Sequence, residues 1–333
     1  MTLKRITITF MSIMFLTVNL FSSEPVKMEK DYLSLVFRNE PAYLFSYFTG
    51  NGEDGLHLMY SHDGLIWRTL NNGHSFLKPT VGKEKLMRDP SIAKDSKGTF
   101  HMVWTSGWNE NNIGYASSKD LITWSEQKEL PVMAQEPDVM NTWAPELFYN
   151  KINHTFYIIW ASTVPGKFPV TGNSEKYNHR LYYTTTKDFE KFSKTALFYD
   201  PGFNVIDASI IKSDFKYYMF LKNETLEPEE KNIRVVSSKK ITKFPTTVSE
   251  PISGKEWAEG PTEIKVGKYI YVYWDKYKSK RYGAVRTKSL KKPEWEDISD
   301  IIRFPQGVRH GTAFKVDDSI LLELQKVGVE SEQ

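Results

Sequence analysis

One short turn recurs along this chain, and few folds can use five copies of it. The clearest copy is Ser118-Lys119-Asp120-Leu121, followed by Trp124. Ser61-His62-Asp63-Gly64 with Trp67 precedes it, and Thr186-Lys187-Asp188-Phe189 with Phe192 follows. Ser238-Lys239-Lys240-Ile241 with Phe244 and Thr287-Lys288-Ser289-Leu290 with Trp295 complete the set. The third residues of the motif stand 57, 68, 52 and 49 residues apart. Short Ser, Thr and Asp side chains bond nearby backbone and close a turn after a strand. The aromatic that follows can then bury itself against the neighbouring unit. A repeat of this length suits one four-stranded blade per copy.

The segments between the turns read as strands. Residues 100–105, 112–117, 155–161, 180–185, 216–221, 234–237, 269–274 and 282–286 are short and rich in Val, Ile, Tyr and Trp. Gly, Asn or Lys bounds them, and no amphipathic helix stands out. A second periodicity opens each blade: Asp89-Pro90-Ser91, Ala144-Pro145-Glu146, Asp207-Ala208-Ser209, Glu259-Gly260-Pro261 and His310-Gly311-Thr312. These read as innermost strands, with Pro tolerated at a strand start. The first turn lacks an opener and the last opener lacks a turn. The C-terminal segment around 310–325 is therefore expected to complete the blade begun by residues 42–70, which removes an open sheet edge. The expectation is a single-domain, all-β, five-bladed propeller over 42–328, with a lead-in at 24–41 and a tail at 329–333.

Composition narrows the function. The 44 basic and 41 acidic residues are mixed along the chain and leave a formal charge of +3. That is no footprint for nucleic acid. Lys4 and Arg5 precede an uncharged stretch from Ile6 to Phe21, then Ser22 and Ser23, the pattern of an export signal over residues 1–23. The stretch is short for a membrane span, so no stable insertion is expected. With 0 Cys there is neither disulfide nor thiol chemistry. The expected protein is exported, periplasmic or extracellular, and monomeric.

All innermost strands of a propeller run in one sense, so their first residues meet at one mouth. Asp89, Asp207 and Glu259 should therefore share a funnel. Buried carboxylates cost several kcal/mol unless paired, which implies a use. Hydrolysis of a glycosidic bond needs one carboxylic acid for the leaving oxygen and one carboxylate to activate water or to attack. A third acidic group can hold the acid's proton by like-charge repulsion.

The chain resembles glycoside hydrolase family 43, five-bladed propellers that cleave arabinose, xylose and related sugars from plant polysaccharides. The resemblance rests on "MRDPSI" at 87–92, "NTWAPELF" at 141–148, "VIDASI" at 205–210, "AEGPTEI" at 258–264 and "RHGTAF" at 309–314. It implies Asp89 as general base, Glu259 as general acid, and Asp207 as the group that raises and orients Glu259. His310 resembles a channel histidine that sits beside a calcium ion or its waters, so a structural calcium is implied, with no cofactor required. Glu146 stands where the family usually has Asp, which leaves its role open between structure and sugar contact.

Loops between the second and third strands should rim the same mouth. Trp108 and Trp143 are the expected stacking platforms, with Phe203, His179 and Arg281 as further sugar contacts and Arg281 also placed to restrain Glu259. Lys222 and Asp275 fall on the same loops. A 162–179 excursion should wall the mouth and favour exo action. The leading reading is an inverting exo-glycosidase for α-L-arabinofuranose or β-xylose. An exo-β-galactosidase of the same fold and a non-catalytic sugar-binding propeller stand as alternatives. A retaining fructan enzyme would need a nucleophilic Asp opener in the 42–70 blade, and none is present.

Overall fold

The computed structural model describes residues 42–169 and 177–328. The expected leader, lead-in and tail, and the centre of the 162–179 excursion, lie outside the described residues. Strands form five sheets, and these are the blades of a β-propeller. Blade 2 comprises Arg88–Lys94, Phe100–Thr105, Ile113–Ser118 and Lys128–Leu130. Blade 3 comprises Trp143–Asn150, Thr155–Ser162, Arg180–Thr186 and Ala196–Tyr199. Blade 4 has Val205–Ser213, Lys216–Asn223 and Asn232–Ser238, and blade 5 has Glu259–Val266, Tyr269–Lys276, Arg281–Thr287 and Glu296–Asp297. In blade 1, Thr312–Val316 pairs antiparallel with Ala42–Tyr47, which pairs on through His57–Ser61 to Arg68–Thr69. The two ends of the described chain thus close one sheet. The five innermost strands touch in a ring, each packed on the next.

The recurring turn follows the third strand of each blade. In three copies the chemistry is the same. Ser61, Ser118 and Thr186 each accept a hydrogen bond from the backbone N–H three residues on, at 2.9, 2.8 and 2.9 Å. Asp63, Asp120 and Asp188 each accept two more, from residues two and three ahead. These bonds hold the fourth residue of the motif at positive φ: Gly64 at 72°, Leu121 at 65° and Phe189 at 58°. Glycine meets that requirement without strain. The following aromatic docks on the preceding blade, as in Trp67 against Tyr273 at 5.8 Å. Blade 3 departs from this. Phe192 is 39% exposed, and Phe189, inside the turn, is buried against Tyr115 of blade 2 instead.

Two expectations need correction. The C-terminal segment is a strand only to Val316; helix α1 (Asp318–Val327) follows, with Asp317 at its N-cap position. Leu321 and Leu324 are buried with Leu58 and Leu70 of blade 1. Their i, i+3 spacing with Val327 was a helical signal, but ten residues gave it little length.

The second correction concerns the blade openers. Each of four innermost strands carries a β-bulge at its start. Arg88, Trp143, Ile206 and Glu259 pair in register, then two residues are passed over before Ser91, Glu146, Ser209 and Thr262 resume pairing. The first residue of each bulge is left-handed: Asp89 at φ 53°, Ala144 at 48°, Asp207 at 52° and Gly260 at 60°. Glu259 is therefore equivalent to Arg88 and Ile206, one residue ahead of the position that Asp89 and Asp207 occupy. Because successive strand side chains alternate in direction, the acidic groups reach the mouth from two different positions.

Candidate active site

The mouth of the channel holds a pocket of about 360 Å³. Its wall combines strand starts, the ends of second strands at Thr105 and Lys222, and the loops that follow them. Asp89, Asp207, Glu259 and His310 all line it. Non-glycine residues held at positive φ store strain that surrounding structure must offset. At Asp89 and Asp207 it aims two carboxyl groups at the pocket.

Asp89 is fixed on both oxygens. Oδ2 accepts from Thr105 Oγ1 at 2.8 Å, and Oδ1 lies 3.2 Å from His310 Nδ1. Thr105 Oγ1 in turn accepts from the Ala144 N–H at 2.8 Å, so blade 3 helps orient it. Burial alone would raise Asp89. The hydrogen bond and charge of His310, with Arg88 and Thr105, outweigh it and bring the group down to about 2. For His310, burial favours the neutral ring, but Asp207 and Asp89 hold its proton to about 9. The imidazole packs directly over Gly260, where a Cβ would lie 2.3 Å from its Cγ. Only glycine fits there.

Asp207 is the carboxyl that favours its proton. Burial raises it; His310 and Lys222 pull it back, while Glu259 and Asp89 add to the rise, leaving about 6. Its Oδ2 accepts from the Gly260 N–H at 2.9 Å, directly tethering the residue after Glu259. Glu259 itself is clasped by two cations: Oε1 is 2.9 Å from Arg309 Nη2 and Oε2 is 3.3 Å from Lys222 Nζ. Arg309 is braced by Asp275 at 2.7 Å, and Lys222 by Glu224 at 2.7 Å. Lys222 is only 2% exposed. Burial would strip its proton; Glu224 first, then Glu259, Tyr277 and Asp207, keep it charged.

The expected sugar contacts divide. Trp108 and Trp143 line the pocket edge to face, with centroids 5.6 Å apart. One face of Trp108 is covered by Arg88, whose guanidinium carbon lies 4.3 Å from the ring centre. His179 is not a wall residue: it is buried beneath Trp143, with Nδ1 3.0 Å from Asn204 Oδ1. Phe203 packs into the core between blades 3 and 4. Arg281 is 68% exposed and pairs with Glu256, so the restraint on Glu259 expected of it falls to Arg309 and Lys222. Arg88 and Arg309 stood inside the quoted motifs but were passed over for their acidic and histidine neighbours. Trp257 and Tyr277, also in the wall, carried no sequence signal beyond being aromatic.

Below the pocket, the channel encloses Glu146. Its oxygens accept from Ser91 Oγ at 2.7 Å and Ser209 Oγ at 3.2 Å. Burial pushes this carboxyl up to about 7 despite those bonds. This answers the open question of its role: Glu146 ties three blades together rather than lining the pocket. Between its unfolded and folded values the folded protein binds the extra proton, so Glu146 supports stability below about pH 4.5 and the support is lost as pH rises through about 7. Glu146→Gln removes that titration. Thermal melts should show the variant gaining on the wild type from pH 5 to pH 9, by on the order of 1–3 kcal/mol; a constant difference would assign Glu146 no titrating role. A calcium ion beside His310 finds no cage of side chains. No group of three His, Asp or Glu able to hold a metal occurs among the described residues, and His310 Nδ1 is engaged by Asp89.

The chain is similar to several known proteins. A curated α-L-arabinofuranosidase from Bifidobacterium longum subsp. longum is 26% identical over 248 residues, covering 62% of this chain. This chain spans only 23% of that protein's length. Among solved structures, a thermostable family-43 glycoside hydrolase superposes with a TM-score of 0.51 at 19% identity, covering 67% of this chain and 78% of that one. A family-43 protein from Bacillus licheniformis gives 0.52 at 20% identity, over 71% of this chain and 46% of its own. Both share the fold. The family model described as a probable glycosyl hydrolase domain matches residues 39–319. With that match over most of its length, the chain belongs to the family-43-related glycosyl hydrolases.

Proposed function

We propose that this glycoside hydrolase is an inverting exo-enzyme that removes a terminal pentose, α-L-arabinofuranose or β-xylose, from plant-type poly- or oligosaccharides. One observation carries the reading: a single walled pocket holds a carboxylate kept ionised, Asp89, and a carboxyl that favours its proton, Asp207, tethered to the residue after Glu259. Direct displacement by water needs one of each. Asp89 takes the proton of the attacking water. Glu259 delivers a proton to the leaving oxygen. Asp207, which favours its own proton, fixes Glu259 through the Gly260 N–H.

The pentose rests on the name of the curated relative together with the small pocket. Exo action rests on the wall that Trp108, Trp143, Trp257 and Tyr277 build around the carboxylates. The opener of blade 1 supplies His310 where a retaining fructan enzyme would need its nucleophile. Aryl α-L-arabinofuranosides, β-xylosides and β-galactosides, followed by proton NMR of the first anomer released, test the proposal. Turnover of a pentoside with inverted product is expected. Faster turnover of the galactoside, a retained anomer, or binding without turnover would each replace it.

A further inference from the structure

The charges of the pocket wall do not all find partners. Lys222 and Arg309 are tied to Glu259, and His310 is tied to Asp89. Arg88 lines the same pocket, and its charge helps to hold Asp89 ionised from beyond contact; no carboxylate lies within ion-pair distance of it among the described residues. Its Nη1 donates to Asn51 Oδ1 at 2.8 Å. Its guanidinium is clamped between the Trp108 and Phe48 rings, 4.3 and 4.7 Å from their centres. Arg309 lies against that same Phe48 ring at 5.5 Å.

A solvated surface arginine keeps its rotamer freedom, whereas this one has been ordered by two rings and an amide. Guanidinium offers five donors in a planar fork suited to two-oxygen anions. Trp108, 37% exposed, puts the clamp at the rim of the pocket. In an exo-enzyme the terminal sugar sits at the carboxylates and the unit it leaves sits at the rim. The geometry points to an anionic subsite built on Arg88: the sugar unit that bears the cleaved pentose carries a negative group, a uronate carboxylate or a sulfate ester. The inference rests on the exo-glycosidase reading above for its placement, and on the unpaired guanidinium for its charge.

The test compares three matched oligosaccharides in which the pentose is attached to a neutral sugar, a uronate or a sulfated sugar. For the wild type, kcat/KM on one of the anionic substrates should exceed the neutral one by about tenfold or more, as a charge-assisted pair allows. Which anion is preferred separates carboxylate from sulfate. The ratio should fall several-fold when salt is raised to about 1 M, where screening reaches about 3 Å. It should collapse toward one in Arg88→Gln and survive in part in Arg88→Lys. An equal ratio in the wild type, or a preference that Arg88→Gln leaves intact, overturns the inference. If none of the three is hydrolysed, the exo-glycosidase reading fails by itself. Calorimetry with the wild type then decides: tighter binding of an anionic oligosaccharide sustains the subsite, and equal binding ends it.

Discussion

Glu259→Gln is expected to lower kcat/KM on oligosaccharides by about 10²–10⁴, the range for loss of a positioned general acid. On an aryl glycoside whose phenol leaves without protonation, the loss should be no more than about tenfold. The asymmetry is the diagnostic part. Glutamine keeps an oxygen to accept from Arg309, and Lys222 retains its 2.7 Å pair with Glu224. The surrounding charges therefore keep their partners, and the variant should fold. A proton donor matters only in proportion to the leaving group's need for it. An equal loss on both substrates would reduce Glu259 to a binding role. Wild-type rates on oligosaccharides should also fall as pH rises through about 6, when Asp207 gives up its proton.

The blade repeat was legible because its chemistry is local. Ser61, Asp63 and their counterparts bond backbone two and three residues away, so composition and spacing within four positions specify the turn. Closure between Ala42–Tyr47 and Thr312–Val316 followed from a mismatch between two repeats. The bulges were not legible. A strand with two passed-over residues reads like a regular strand in sequence, and so Glu259 was aligned with Asp89 one position out of register. Pocket membership was hidden for a related reason. His179 and Phe203 sit on the expected loop ends, but whether a ring faces the pocket or supports its wall depends on neighbouring blades. Arg309 was hidden by its own context, since its partners Glu259 and Asp275 lie 50 and 34 residues away.

Removal of the base should be at least as costly. Asp89→Asn is expected to depress kcat/KM by about 10²–10⁴ whatever the leaving group, because water must be activated in every case. Asparagine is the informative choice: it tolerates the left-handed backbone at φ 53°, and its carbonyl still accepts from Thr105. Azide, which needs no base, should restore turnover and give a glycosyl azide of inverted configuration. Failure of azide to rescue a folded variant would remove Asp89 from the base role. The same substitution has a signature in stability. Asp89, held at about 2, contributes above its unfolded value of 3.8, and that contribution is lost as pH falls through about 2. His310, held at about 9, contributes fully below 6.5 and loses it as pH rises through about 9. Their pair is thus intact across neutral pH, where the variant should be less stable by on the order of 2 kcal/mol. The deficit should shrink at pH 10, because a neutral His310 no longer rewards the wild-type carboxylate.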